Sequence, residues 1–294
     1  MLMFGLLLSG VAVINHYGEP VSIELILLVI ASMILGRIDK RLTCLAYVIA
    51  IIYLIDTGLV LLKLKENYFT LPYEKLIVLV GVLHMIEGIM AYFYGGKDNL
   101  CVINYKGNQI AGGYRAYRKW YIPLFLFTIN GYYVPLLCVL VYGDETYTMV
   151  PELKSRKSGK YIFVYGCLIL MVGIAVVLHQ VSLPIGIMLM PIAHELLFAM
   201  NHFLEQAPYI YTVPTKGVRV IEIMKEQVQR TKIERGDIIL KINGKNVEDE
   251  ETYYKQLGEQ RLVMILEDLK GNKKILHFEH REYEELGVIV LPNE

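Results

Sequence analysis

The chain has 294 residues, 55% of them hydrophobic, with a mean hydropathy of +0.43 and no formal net charge at pH 7. Apolar residues this abundant, gathered into long blocks, exclude an ordinary soluble domain, and the balanced charge leaves no basic footprint for a nucleic-acid partner. Four cysteines, Cys44, Cys101, Cys138 and Cys167, show no CxxC spacing and imply neither a disulfide framework nor a zinc knuckle.

Seven apolar segments follow one another, at about 2–15, 21–36, 42–62, 74–94, 121–142, 161–179 and 183–204. A helix needs ~20 residues to cross the hydrocarbon, so the later five are long enough and the first two are short. Met1 to Ile14 lacks a basic n-region and a cleavage site, which favours a tilted or partly spanning first helix over a removable signal peptide. Segment 121–142 contains Pro123, Asn130, Gly131 and Pro135 and reads as a kinked or re-entrant helix. The expected fold class is therefore a polytopic α-helical membrane domain of about seven hydrophobic segments, followed by a small α+β domain. With all seven spanning, Lys and Arg in alternate loops number eight against six, a difference that does not decide orientation.

Between the fourth and fifth segments, residues 95–120 form a polar interruption with a turn signal at Lys106-Gly107-Asn108. A β-hairpin at the membrane surface fits, with Tyr105, Tyr114, Tyr117, Trp120 and Tyr121 as interfacial anchors and Arg115, Arg118 and Lys119 near lipid phosphates. A solubilising surface loop fits equally well.

From about residue 207 the chain becomes charged and its apolar residues alternate. This divides it into a multi-pass domain at 1–206, a Pro-rich linker at 207–216, a soluble domain at 217–280 and a tail at 281–294. Strands are expected at Gly217–Ile223, Ile238–Ile242, Arg261–Asp268 and Lys273–Phe278, and helices at Gln227–Ile233 and Asp249–Leu257.

Gly236, Asp237, Ile238, Ile239, Leu240, Ile242, Asn243, Gly244 and Val247, with the helix and two strands that follow, resemble a bacterial PDZ domain over about residues 214–280. The helix before this run, EQVQRTKI, departs from the small-residue SPAAxAG type found in that family. The resemblance implies strand addition of an extended peptide or protein ligand. By position it puts the carboxylate loop at Thr215, Lys216, Gly217 and Val218, the receiving edge at Val218, Arg219, Val220 and Ile221, and the facing helix at Thr252, Tyr253 and Gln256. Val218, Val220 and Tyr253 read equally well as core residues.

A second resemblance covers nearly the whole chain. LHMIEG at 83–88, GNQIAGGY at 107–114, WYIPL at 120–124 and PIAHE at 191–195, with the Pro-rich entry to the C-terminal domain, are similar to the MinJ-type cell-division topological determinants of Gram-positive bacteria. That likeness implies a multi-pass cell-membrane scaffold, in contact with lipids, that links the coiled-coil protein DivIVA to the MinC/MinD inhibitor of FtsZ assembly. It also implies a cytoplasmic PDZ domain, which under seven spans needs an outside N-terminus.

Ionisable residues inside apolar segments are read as functional by default. His84 and Glu87 share one helix face, and His194 and Glu195 sit in another helix. A hydrogen-bonded cluster joining helices is the favoured role, against a metal or proton site or placement at helix ends. PIAHELLFAMNHF begins like the HExxH site of a membrane zinc protease, but Phe198 stands where the second histidine belongs. His202 lies about 12 Å further along a continuous helix than His194, too far to share one ion with it, and Asp56 and Asp144 lack the context of a third ligand. The sequence thus points to a non-catalytic scaffold with no metal and no cofactor. The alternatives are a site-2-type intramembrane metalloprotease relative with a substrate-presenting PDZ domain, and a sensor whose PDZ domain lies outside the cell.

Overall fold

Among the described residues three helices are long and apolar enough to cross a membrane, Tyr73–Gly95, Pro151–Val177 and Leu183–Leu204, which corrects the expectation of a seven-segment helical domain. The computed structural model describes residues 18–294 apart from 65, 67–70, 107–108, 225–231, 260, 280–285 and 294, and of the first seventeen residues it describes 5, 9, 10 and 14. The first apolar segment and the helix expected at Gln227–Ile233 thus fall largely outside the described residues. In chain order the elements are β1 (Glu19–Pro20), α1 (Ile23–Ile38), a 3-10 turn at Lys40–Thr43, α2 (Leu45–Leu61), α3 (Tyr73–Met90, running on through a π turn at Ala91–Gly95), β2 (Leu100–Lys106), β3 (Gln109–Ile129), β4 (Tyr132–Thr146), α4 (Pro151–Val177) and α5 (Leu183–Leu204). They continue as β5 (Tyr211–Thr212), β6 (Val218–Ile223), β7 (Ile238–Ile242), β8 (Lys245–Asn246), α6 (Glu250–Gln256), β9 (Arg261–Glu267), β10 (Lys273–Glu279) and β11 (Val288–Val290).

Segment 121–142 is the clearest departure. It is a β-hairpin made by the second half of β3 and most of β4, not a re-entrant helix. Asn130 and Gly131 both take positive φ, 50° and 81°, as a two-residue type I′ turn requires. Trp120, Ile122, Leu124 and Leu126 are buried at alternate positions, the period of a strand. An open hairpin leaves unpaired backbone groups along its edges, so it does not cross lipid as a helix does. α1 and α2 are also short for a span, with 16 and 17 residues.

The chain divides into two units: residues 1–96, 117–143 and 155–203 in the first, and 97–116, 144–154 and 204–294 in the second. A cut at residue 206 misses this division because chain pairing joins pieces distant in sequence. In the first unit, α3 and α4 pack along a row of glycines repeated every seven residues, Gly81 and Gly88 on one helix and Gly159, Gly166 and Gly173 on the other. A Cβ at Gly81 would lie 2.5 Å from Leu170 N, and one at Gly166 would lie 2.5 Å from Met85 N. Small residues let the two backbones touch, and a seven-residue repeat keeps the contact in line between helices crossing at about +20°.

The second unit holds one whole sheet and part of another. β2 pairs antiparallel with the start of β3, and β5 adds to β3 at Ala111 and Gly112, so the expected linker carries a strand. The other sheet runs β10-β9-β7-β6-β11, with β8 on β7. β6, β7, β9 and β10 lie within a residue or two of the runs expected from the sequence, while β8 is not among them and β11 lies in the expected tail. Val218, Val220, Ile239, Leu262, Met264 and Tyr253 fill its main core. A register shift where β11 passes β6 lets Ile221 join a second cluster with Tyr114, Tyr211 and Leu291, while Val220 and Ile223 stay in the main core. Tyr114 closes the join between the sheets by donating its hydroxyl to Ile221 O. Burial pushes this hydroxyl's pKa above the ordinary tyrosine range, so it remains a neutral donor. Tyr114 and Trp120 are buried, whereas Tyr105, Tyr117 and Tyr121 are exposed, which removes the first two from the expected interfacial anchors.

Replacing Gly166 with Leu forces α3 and α4 apart and is expected to cost at least about 1–3 kcal/mol, the usual penalty of overpacking. A thermal unfolding scan in detergent should show a lowered midpoint for Gly166→Leu and little change for Gly58→Leu, whose Cβ meets nothing within 4 Å.

Candidate functional site

The polar residues of the first unit meet where α2 begins and where α3 and α5 pass mid-length. Cys44 is the N-cap of α2, yet its side chain caps no backbone group, a place where Ser, Thr, Asp or Asn normally serves. Its Sγ lies 3.4 Å from His84 Nε2. His84 Nδ1 is 2.8 Å from Val80 O, one turn back on α3. A carbonyl only accepts, so Nδ1 carries the hydrogen, Nε2 holds the lone pair, and the thiol donates to it.

His194, on α5, is fixed in the same way by a relay. Arg41 Nη1 donates to Glu195 Oε2 at 3.3 Å, and the Tyr47 hydroxyl donates to Glu195 Oε1 at 2.7 Å. Tyr47 has one hydrogen to give, so at 3.2 Å from His194 Nδ1 it accepts. His194 therefore also carries its hydrogen on Nδ1 and keeps a lone pair on Nε2. Tyr165 packs edge-on against both imidazoles, with ring centroids 4.8 Å from His84 and 5.1 Å from His194, and donates its hydroxyl to Met190 O at 3.0 Å. His84 and His194 are each 7% exposed.

Of the four intramembrane residues singled out in the sequence, the structure brings together His84, His194 and Glu195. Glu87 makes no hydrogen bond or ion pair with that group among the described residues, but its carboxyl lies within electrostatic reach of Cys44 and Tyr165. Phe198, which replaces the second histidine of HExxH, packs its ring 5.0 Å from that of His194, and His202 is exposed at the end of α5. Sequence reasoning missed Cys44, Tyr47, Tyr165 and Arg41. A signal existed for the first, a cysteine at a helix N-cap.

The expected peptide groove falls differently. β6 has β7 on one side and β11 on the other, so Val218, Arg219, Val220 and Ile221 lie inside the sheet and offer no free edge. Thr215 and Lys216 are in the loop before it, and a Cβ at Gly217, where φ is +79°, would collide with Ile239 O. Tyr253 is fully buried. Thr252 closes a capping box with Asp249 at the start of α6, and its N–H and hydroxyl hold that carboxyl below the usual aspartate range. Gln256 Nε2 donates to Asn246 O at 3.0 Å. β11 is one end of the sheet, β10 being the other, and on its outer side no strand pairs among the described residues. Gly287 O and Leu291 N bond to β6, so the alternate groups of Val288 and Val290 point outward. Beside this edge is a cavity of about 530 Å³ bordered by Glu250 and Tyr254 of α6, Ile289 and Pro292, and Leu100 and Ile103 of β2. The run Val288–Leu291 after Gly287 is the sequence signal for this strand.

Over an alignment 323 positions long the chain is 22% identical to the cell division topological determinant MinJ of Bacillus subtilis (strain 168), covering 99% of this chain and 81% of that protein. No family profile and no solved structure matches it. The alignment supports a distant MinJ-like relationship. Together with the three long apolar helices it points to membrane association.

Tyr47→Phe removes the hydroxyl that joins Glu195 to His194 and is expected to cost about 0.6–1.7 kcal/mol, the range measured for hydrogen bonds between membrane helices. Glu87→Gln should leave the thermal midpoint in detergent unchanged, since Glu87 stands outside the relay.

Proposed function

We propose that this chain is a non-catalytic, multi-pass membrane scaffold for cell-division proteins, and that its C-terminal sheet is a PDZ-type module that takes an extended partner segment as an added strand. The observation that carries the proposal is the open outer edge of β11, lying beside α6 and the 530 Å³ cavity. The likeness to MinJ supports the division role, with DivIVA-like and MinD-like proteins as the partners to try first.

Connectivity supports a cytoplasmic module. No span lies between α3 and α4 among the described residues, so the end of α3 and the start of α4 share a side, and α5 returns the chain to that side after α4 has left it. Nine Lys and Arg fall between residues 97 and 160, three lie before α3 or in its first turn (Lys63, Lys65 and Lys75), and none lies in the 178–182 turn. Lys and Arg concentrate on the cytoplasmic side of short loops. The seven-segment count hid this asymmetry because counting 121–142 as a span placed the basic residues before and after it on opposite sides.

Two measurements test the reading. A reporter fused in the β9–β10 turn at Gly271 is expected to report the cytoplasm, and an outside signal would rule out the scaffold. Val290→Pro removes an outward N–H and leaves the pairing with β6 in place, which an edge strand tolerates. It is expected to abolish two-hybrid recruitment of DivIVA-like and MinD-like partners that Val290→Ala retains, with circular dichroism confirming that both variants fold. Recruitment by folded Val290→Pro would refute strand addition at β11.

A further inference from the structure

Cys44, His84 and His194 each offer one ligand atom, and these three atoms lie within 4.8 Å of one another. We propose that they form a binding site for a single thiophilic transition-metal ion, with Zn2+ the ion the donor set suits, and that the ion clamps the start of α2 to α3 and α5. Thiolate and imidazole donors together select zinc-like ions over Mg2+ or Ca2+. Around tetrahedral zinc, with bonds of about 2.0–2.3 Å, neighbouring ligand atoms stand about 3.3–3.8 Å apart. The Cys44 to His84 separation of 3.4 Å is already in that range, and the third donor closes by side-chain adjustment.

Independent support comes from the atoms behind the ligands. Both imidazoles have Nδ1–H committed, His84 to the Val80 carbonyl and His194 to the Tyr47 oxygen, which fixes the tautomer and leaves Nε2 with its lone pair. Metal-bound histidines are oriented by such outer hydrogen bonds. Glu195 ends this relay with its carboxylate bonded to Tyr47 and Arg41, so it positions a ligand and does not act as one. Cys44 fits the same scheme, since it occupies an N-cap without capping. On binding, the thiol proton that bridges Sγ and His84 Nε2 leaves to solvent and both atoms turn to the ion. Three protein donors bring one cysteine and two histidines from residues 44, 84 and 194 together, a set that HExxH reasoning within one helix does not reach.

The test is a Co2+ titration of the full-length chain, purified in detergent and stripped with chelator. The expected result is a thiolate-to-cobalt charge-transfer absorption that saturates at one equivalent, is abolished by added Zn2+, and is absent in Cys44→Ser. Tyr47→Phe should weaken Co2+ binding about 10–100-fold, as loss of an outer hydrogen bond does. Cys138→Ser and Cys167→Ser should retain the band. The proposal is overturned if the wild-type chain, folded by circular dichroism, gives no such band, or if the band survives Cys44→Ser. Because the first of these outcomes uses the wild type, it stands whether or not the variants fold.

Discussion

The backbone contact between α3 and α4 is the constraint from which the rest of the first unit follows. Five glycines on a seven-residue repeat remove the side chains that would hold these helices apart, and their backbone atoms come within van der Waals reach. His84 lies between Gly81 and Gly88, and Tyr165 lies just before Gly166, so the seam sets the imidazole edge-on against the phenol. Tyr165 then touches His194 and bonds the α5 backbone at Met190. A tighter or looser seam would move His84 relative to Cys44 and His194, and the polar group would lose its geometry.

In the second unit the comparable constraint is the pair Gly112 and Gly113. A Cβ at Gly112 would meet the Ile221 side chain at 2.8 Å, and one at Gly113 would meet Thr146 O at 2.5 Å. Their absence of side chains lets β3 approach β6 and the end of β4, and the adjacent Tyr114 fastens the join through the Ile221 carbonyl. Arg235 completes it, with its guanidinium 5.4 Å over the Tyr114 ring and ion pairs to Glu222 at 2.7 Å and Glu152 at 3.2 Å. β6 is thereby committed on both edges and on one face, and at its end of the sheet the open edge falls to β11.

The proposed metal site and the proposed strand-addition edge lie in different units, so neither proposal depends on the other. The relay from Arg41 to His194 holds the first, and the alternation of inward and outward groups along β11 opens the second.

Composition and pattern alone determined that this chain meets a membrane, that its last third alternates as strands do, and that His84, His194 and Glu195 stand out in apolar surroundings. Those features are local, and hydropathy, period and charge report them directly. The tertiary structure decided three matters that local pattern does not carry. Hydropathy measures the length of 121–142 but not its backbone form, and the Asn130-Gly131 turn together with alternate burial makes it a hairpin. Cys44 and Tyr47 look like ordinary apolar-segment residues until helix packing brings them to histidines 40 and 147 positions away. β6 has no open edge and β11 has one because a strand's free side depends on which distant segment pairs with it, and that pairing is settled by packing across the whole unit.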